Sequence, residues 1–188
     1  MADFTKRHKG CLLNVIKQPS GIQHKTGVLH YTKLCKSFST KKGEYMDYTT
    51  ANVRNVAIAG HGQSGKTTLF EQLLFASGVI AKTEQAGTGK TVSDYTAEEI
   101  EHKISIYSAL AHAQWNDKII NFWDTPGSSD FVGEVISAFR SSEMALMLVD
   151  GKNGVQIETI KLWRDLDRRN KPRMVFINRT DDQRTNVE

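Results

Sequence analysis

Eight residues, Gly60-His61-Gly62-Gln63-Ser64-Gly65-Lys66-Thr67, constrain this chain more than any other stretch. They fit the pattern G-x-x-x-x-G-K-[ST]. They follow a β-branched apolar run, Val53 to Ala59, and precede a helical pattern from Thr67 to Ser77. A chance glycine-rich turn has no need of that strand and helix; a phosphate-binding loop needs both. Its glycines let the backbone bend until several N–H groups point at one anion. The helix N-terminus behind them adds a favourable dipole. In that pattern Lys66 reaches the outer phosphates and the Thr67 hydroxyl ligates Mg²⁺.

Around this unit the chain alternates strand and helix. Leu69, Phe70, Leu73 and Leu74 form one helical face, and Gly78 suits its C-cap. Val79 to Lys103 is polar, with Gly87 and Gly89, and reads as a long loop of the kind that serves as a switch or merely covers the surface. Ile104 to Trp115 and Lys118 to Trp123 flank Asn116-Asp117 and predict a hairpin. Phe131 to Ser142 predicts a helix, Ala145 to Val149 a buried strand, Gln156 to Arg169 an amphipathic helix and Arg173 to Ile177 the last strand. The order predicts an α/β fold of the P-loop NTPase class: a mainly parallel sheet with helices on both faces and one antiparallel edge pairing.

Charge divides the sequence. Residues 1–45 hold nine Lys and Arg against two Asp and Glu, whereas residues 46–188 hold sixteen against nineteen. The basic pI therefore belongs to the leader, not to the phosphate-loop domain of 46–188. A basic leader could touch nucleic acid through phosphates, but it lacks aromatic interleaving, so a solvated, disordered tail is the simpler reading. It also resembles an acid-poor organellar presequence, a reading that Asp3 and the missing arginine-rich face oppose. A third reading, the favoured one, makes Met46 the natural start. A short helix around Cys11 to Lys17 is possible. No apolar run reaches membrane-span length, and the N-terminus has no signal-peptide core, so a cytoplasmic protein is expected. Cys11 and Cys35 both precede the domain and suggest neither a disulfide framework nor a metal cluster.

Four pieces fall at strand ends, where an open α/β sheet places its ligand. They are the phosphate loop, Ser105, Asp124-Thr125-Pro126-Gly127, and Asn178-Arg179-Thr180-Asp181. Asp124 can hold Mg²⁺ through a water while Thr67 binds it directly. Gly127 exposes an N–H that could meet a terminal phosphate. The last piece looks like N-K-x-D. A carboxylate at Asp181 accepts from the ring N–H and the exocyclic amine of guanine, whereas adenine presents the opposite pattern. Asn178 would tie this loop to the phosphate loop. Arg179 stands where lysine is usual, and its planar guanidinium could lie against a base face.

With these residues assembled, 52–181 resembles the GTP-binding domain of translational GTPases, specifically elongation factor G. The resemblance rests on Asn55 to His61, Gly65-Lys66-Thr67-Thr68, Asp124 to Gly127, Asp130-Phe131, Glu134-Val135, Gly154-Val155-Gln156, Glu158-Thr159, Trp163 and Pro172-Arg173. Asp94-Tyr95-Thr96 and Asp130 to Glu134 look closest to the divergent second elongation factor G branch. The resemblance implies the Ras-like GTPase form of the P-loop fold, GTP and GDP as ligands, Mg²⁺, and the ribosome as activating partner. A monomer without direct sequence-specific nucleic acid contacts is expected. Nucleotide binding falls to Gly60 through Thr68, Asp124 through Ser128, Asn178, Arg179 and Asp181; metal binding to Thr67, Ser105 and Asp124; catalysis to Lys66, Gly127 and Ser128.

Three departures bear on chemistry. Ser128 stands where the family carries the histidine that positions water, Ser105 where it carries the switch threonine, and Gln63 where it carries an aspartate. The guanine-loop motif, the strand and helix that normally follow Asp181 and all later domains are missing. The chain therefore looks like the front fragment of a longer protein, with an open sheet edge beside Arg173 to Ile177. Expected function is GTP binding and hydrolysis coupled to a switch. The alternatives are a GTP-binding module with negligible turnover, or a fragment inactive alone.

Overall fold

Alternation along one strand decides the layering. In β3, Val53–Gly60, side chains point to opposite faces in turn. Ala57 and Ala59 enter one core, with Val135, Phe139, Met147, Leu162 and Leu166. Ile58 enters the other, with Leu69, Phe70, Leu74, Phe122, Leu148 and Phe176. The computed structural model describes residues 49–182 and 185, with the backbone of 12–14 and 29–30.

The first core takes α3, Val132–Ser141, and α4, Ile157–Arg168. The second takes α1, Lys66–Ala76. Between them lie β4, Ala109–Trp115, β5, Lys118–Asp124, β6, Met144–Asp150, and β7, Arg173–Asn178. Two short leader strands, β1, Leu12–Asn14, and β2, Leu29–His30, complete the sheet, whose order is β2-β1-β7-β6-β3-β5-β4. β3 pairs parallel with β5 and β6, and β6 with β7; β4 pairs antiparallel with β5. The expected mainly parallel sheet with helices on both faces and the β4–β5 hairpin at one edge is observed, but the other edge is antiparallel too, since β1 pairs antiparallel with both β7 and β2. The hairpin turns on Asn116 and Asp117, whose φ values of 47° and 58° give the two-residue left-handed turn that matches strand twist.

Three expectations change. β4 begins at Ala109, not Ile104, because the preceding amides are already taken. Glu99 Oε1 accepts from the Ile106 and Tyr107 N–H at 3.0 Å each, and Glu134 Oε2 from the Ser108 N–H at 2.9 Å. An amide bound to a carboxylate cannot join a ladder.

The long loop is not structureless. It contains α2, Ala97–His102, started by a capping box between Thr96 and Glu99. Buried Glu71 of α1 ties the loop's first half down, accepting from the Glu84 and Val92 N–H groups.

Finally, the edge of β7 is not open. β1 pairs antiparallel along it, Leu12 opposite Ile177 and Asn14 opposite Val175. Leu12 to Asn14 are therefore strand rather than helix, which satisfies edge groups that would otherwise lack partners. Most of the leader, including Cys11, Cys35 and Met46, lies outside the described residues.

Candidate functional site

Parallel pairing brings four strand ends to one rim. Register sets Ile58 opposite Asp124, Gly60 opposite Leu148 and Asp150 opposite Asn178. Just beyond the rim lies a cavity of about 650 Å³, lined by Gly62, Gln63, Gly65, Lys66, Thr67, Thr68, Ala86, Gly87, Asp94, Lys103, Ile104, Ser105, Gly127, Ser128 and Arg179. Three of the four sequence-predicted pieces reach it directly. The fourth, the loop of Asn178 to Asp181, reaches it through Arg179.

The phosphate loop curls over the N-terminus of α1. Gly65 is left-handed at φ 96°, and a Cβ there would collide with the Asn178 amide. That close approach serves a bond: Asn178 Nδ2 donates to the Ser64 carbonyl at 2.9 Å, the tie expected from sequence. Gly127 has the same kind of constraint, since a Cβ there would sit 2.7 Å from Gly62 Cα. The second motif thus closes directly on the phosphate loop.

Lys66 is buried, and its Nζ donates to the His61 carbonyl at 2.9 Å. Burial pushes its ammonium down to about 8, against the pull of Asp124. Asp124 is also buried, and burial pushes its carboxyl up to about 6; the Thr67 hydrogen bond and Lys66 oppose that rise. Both groups sit less comfortably charged than in water, and each supplies what the other, or a bound ion, would stabilise.

Thr67 Oγ1 donates to Asp124 Oδ2 at 2.7 Å. Asp124 Oδ1 is buried and has no partner of good hydrogen-bond geometry among the described residues, although the Ser93 side chain lies close enough to help hold the carboxyl down. An orphaned carboxylate oxygen next to a threonine hydroxyl is a hard-oxygen donor set of the kind Mg²⁺ takes. Asp94, buried on the cavity wall, lies close enough to Asp124 to raise its carboxyl further. Ser105 lines the cavity, but its hydroxyl donates to Asp94 Oδ1 at 2.7 Å.

The remaining expected residues play supporting parts. Thr125 is wholly buried, with its hydroxyl donating to the Ile58 carbonyl at 2.8 Å. His61 is buried on the side of α4, its Nδ1 3.4 Å from Thr159 Oγ1. Burial, then the Lys66 charge, pushes its imidazole down. Ser128 accepts from the Asp130 N–H at 3.3 Å and donates to Asp130 Oδ2 at 3.2 Å, capping a single 3-10 turn ahead of α3. Asp181 is exposed and is not among the residues that line the cavity.

Sequence reasoning missed two acidic residues here. Asp94 was legible only as part of a resemblance, because nothing in a polar loop marks one carboxylate as buried. Asp150 reads as the end of a strand; its contact with Arg179 depends on β6 and β7 being neighbours.

The family model of the elongation factor Tu GTP binding domain matches residues 51–188. The chain is 41% identical over 131 residues to elongation factor G of Gluconobacter oxydans (strain 621H), covering 70% of this chain and 19% of that protein. It is 37% identical over 139 residues to the mitochondrial ribosome-releasing factor 2 of Drosophila grimshawi, covering 74% and 19%. A crystal structure from Thermus thermophilus superposes with a TM-score of 0.64 at 37% identity, covering 66% of this chain and 19% of that one. The chain spans about a fifth of the length of these curated relatives. With its phosphate loop, second motif and the loop after β7 on one sheet rim, the chain belongs to the elongation factor Tu GTP binding domain family.

Proposed function

We propose that this chain binds GTP with Mg²⁺ in the rim cavity and hydrolyses it, as the nucleotide-gated part of a cytoplasmic, ribosome-associated translation factor. The observation that carries this reading is the joint between loops: Asn178 bound to Ser64, and Gly127 closed on Gly62. We read the ligand as spanning from the phosphate loop to Asp181.

In this reading the N–H groups behind Gly65 cradle the phosphates, and Lys66 leaves the His61 carbonyl to reach the outer ones. Thr67 and Asp124 hold Mg²⁺, which when bound neutralises charge on the phosphate oxygens. A water attacks the γ-phosphorus, the bond to the bridging oxygen breaks, and GDP and phosphate leave. The chain contributes positioning and a fixed positive field, the usual means of phosphoryl transfer catalysis. Gly127 senses the γ-phosphate, and the Ser108–Glu134 hydrogen bond couples the segment before β4 to α3.

One observation favours a slower enzyme. The Ser128 hydroxyl spends its one O–H on Asp130 Oδ2 and accepts from the Asp130 N–H, and the lone pair left over belongs to a neutral hydroxyl, too weak a base to take a proton from water. Single-turnover hydrolysis with and without ribosomes separates the two readings: stimulation supports the partner-activated enzyme, and tight binding without turnover supports a pure switch. The base reading is tested by titrating the chain with mant-GTP and mant-ATP. Guanine preference is expected, and preference for ATP overturns the role of Asp181.

A further inference from the structure

Asp150 is wholly buried at the end of β6, yet its carboxylate faces a half-exposed cation. Its Oδ2 accepts from Arg179 Nη1 at 2.7 Å and from Asn153 Nδ2 at 2.7 Å. Its Oδ1 accepts from the Lys152 N–H at 3.0 Å. The backbone of Arg179 is fixed as well. It is left-handed at φ 58°, a conformation bulky residues seldom adopt, and its N–H donates to Asn178 Oδ1 at 2.9 Å. Asn178 in turn holds the phosphate loop, and its carbonyl accepts from the Gly151 N–H at 2.8 Å.

Arg179 is therefore gripped at both ends, at its backbone and at its guanidinium, and it lines the rim cavity. A free arginine beside a triphosphate would swing toward the phosphate charge. One paired to a buried carboxylate is neutralised and stays where its planar face can cover a ring.

We propose that Asp150 is a positioning residue for base recognition. Acting through Arg179, it holds a flat cation on the purine side of the cavity, so that affinity comes from the base as well as from the phosphates. This rests on the guanine-nucleotide reading above.

The test is a double-mutant cycle of Asp150→Asn and Arg179→Met in the full chain, read with mant-GDP and, by competition, with tripolyphosphate. In Asp150→Asn the side-chain carbonyl still accepts from the Lys152 N–H, but the charge that holds Arg179 is gone. Asp150→Asn should weaken mant-GDP about tenfold, the scale of one charge-assisted contact. It should leave tripolyphosphate unweakened and add no loss in the Arg179→Met background. Arg179→Met, at a half-exposed position, should show the same base-dependent loss alone. It keeps the test decisive should Asp150→Asn not fold. Equal losses for mant-GDP and tripolyphosphate, additive losses in the cycle, or unchanged mant-GDP affinity in Arg179→Met would each overturn the proposal. A wild-type chain that binds mant-ATP as well as mant-GTP overturns the guanine reading itself. A guanine-selective wild type with an additive cycle overturns only the coupling.

Discussion

Lys66 makes nucleotide affinity depend on pH in a calculable way. Burial lowers its ammonium to about 8, so in the free protein it is about half protonated at that pH. A triphosphate beside it favours the charged form and restores its full charge. Binding must then take up a proton whenever the free lysine has lost one, and affinity must fall as pH rises through the free-state value. The loss scales with the deprotonated population, so Kd should rise about threefold between about pH 7.5 and about pH 8.5. That window keeps the triphosphate fully ionised and the guanine neutral. It also lies above Asp124, at about 6, and above His61, whose imidazole is pushed down. Fluorescence titration with mant-GTP gives the Kd values. Calorimetry in two buffers of different ionisation enthalpy counts the proton, about half a proton taken up near pH 8. Affinity flat across the window, with no buffer dependence, would show that Lys66 stays charged in the free protein and that the burial argument fails. Lys66→Ala supplies the complementary result: loss of detectable nucleotide binding on a folded chain.

Two further predictions concern the scaffold. Glu99 is buried, which alone would raise its carboxyl, but N–H groups of Tyr107, Ile106 and Thr96 and the Thr96 hydroxyl together hold it below the ordinary value. Its folded value is depressed, so its contribution is present above the unfolded carboxylate range and is lost as pH falls through the folded value. Glu99→Ala should expose the Ile106 and Tyr107 amides to hydrogen exchange and cost about 1–3 kcal/mol in urea unfolding; continued protection of those amides would refute the clamp. Phe139 is fully buried in α3 between β3, β6 and α4. Phe139→Ala should lower stability by about 3–5 kcal/mol in the same assay, and a loss under about 1 kcal/mol would mean that this core is not closed as described.

How much of this could be read before the structure turns on the range of each interaction. The phosphate loop, the second motif and the order of elements are local patterns, and Gly60 to Thr67 needed only its neighbours to be recognised. The partner of Asn178 was legible too, because its motif specifies a distant contact. The segment from Ile104 to Ser108 was not. Its β-rich composition favours strand, and only the folded chain shows that Glu99 and Glu134 have claimed its amides. Propensity lost to a carboxylate that becomes a neighbour only after folding.

Binding rests on backbone shape, which glycines at fixed positions encode directly. Turnover rests on which hydroxyl or carboxylate is free, and freedom is a property of the assembled site. Ser128 looks available in sequence and is engaged in the structure, whereas Asp124 looks like a strand end and presents an unpartnered oxygen. The pair of Asp150 and Arg179 belongs to this second kind. Its members sit 29 positions apart, and only the parallel pairing of β6 with β7 brings them together. A substitution of the usual lysine by Arg179 therefore changes more than a local charge: it gives Asp150 a planar partner that can be held flat. Replacing Arg179 with lysine should then keep the charge yet lose the held plane, giving a mant-GDP affinity between wild type and Arg179→Met. Full wild-type affinity in Arg179→Lys would mean that charge alone suffices.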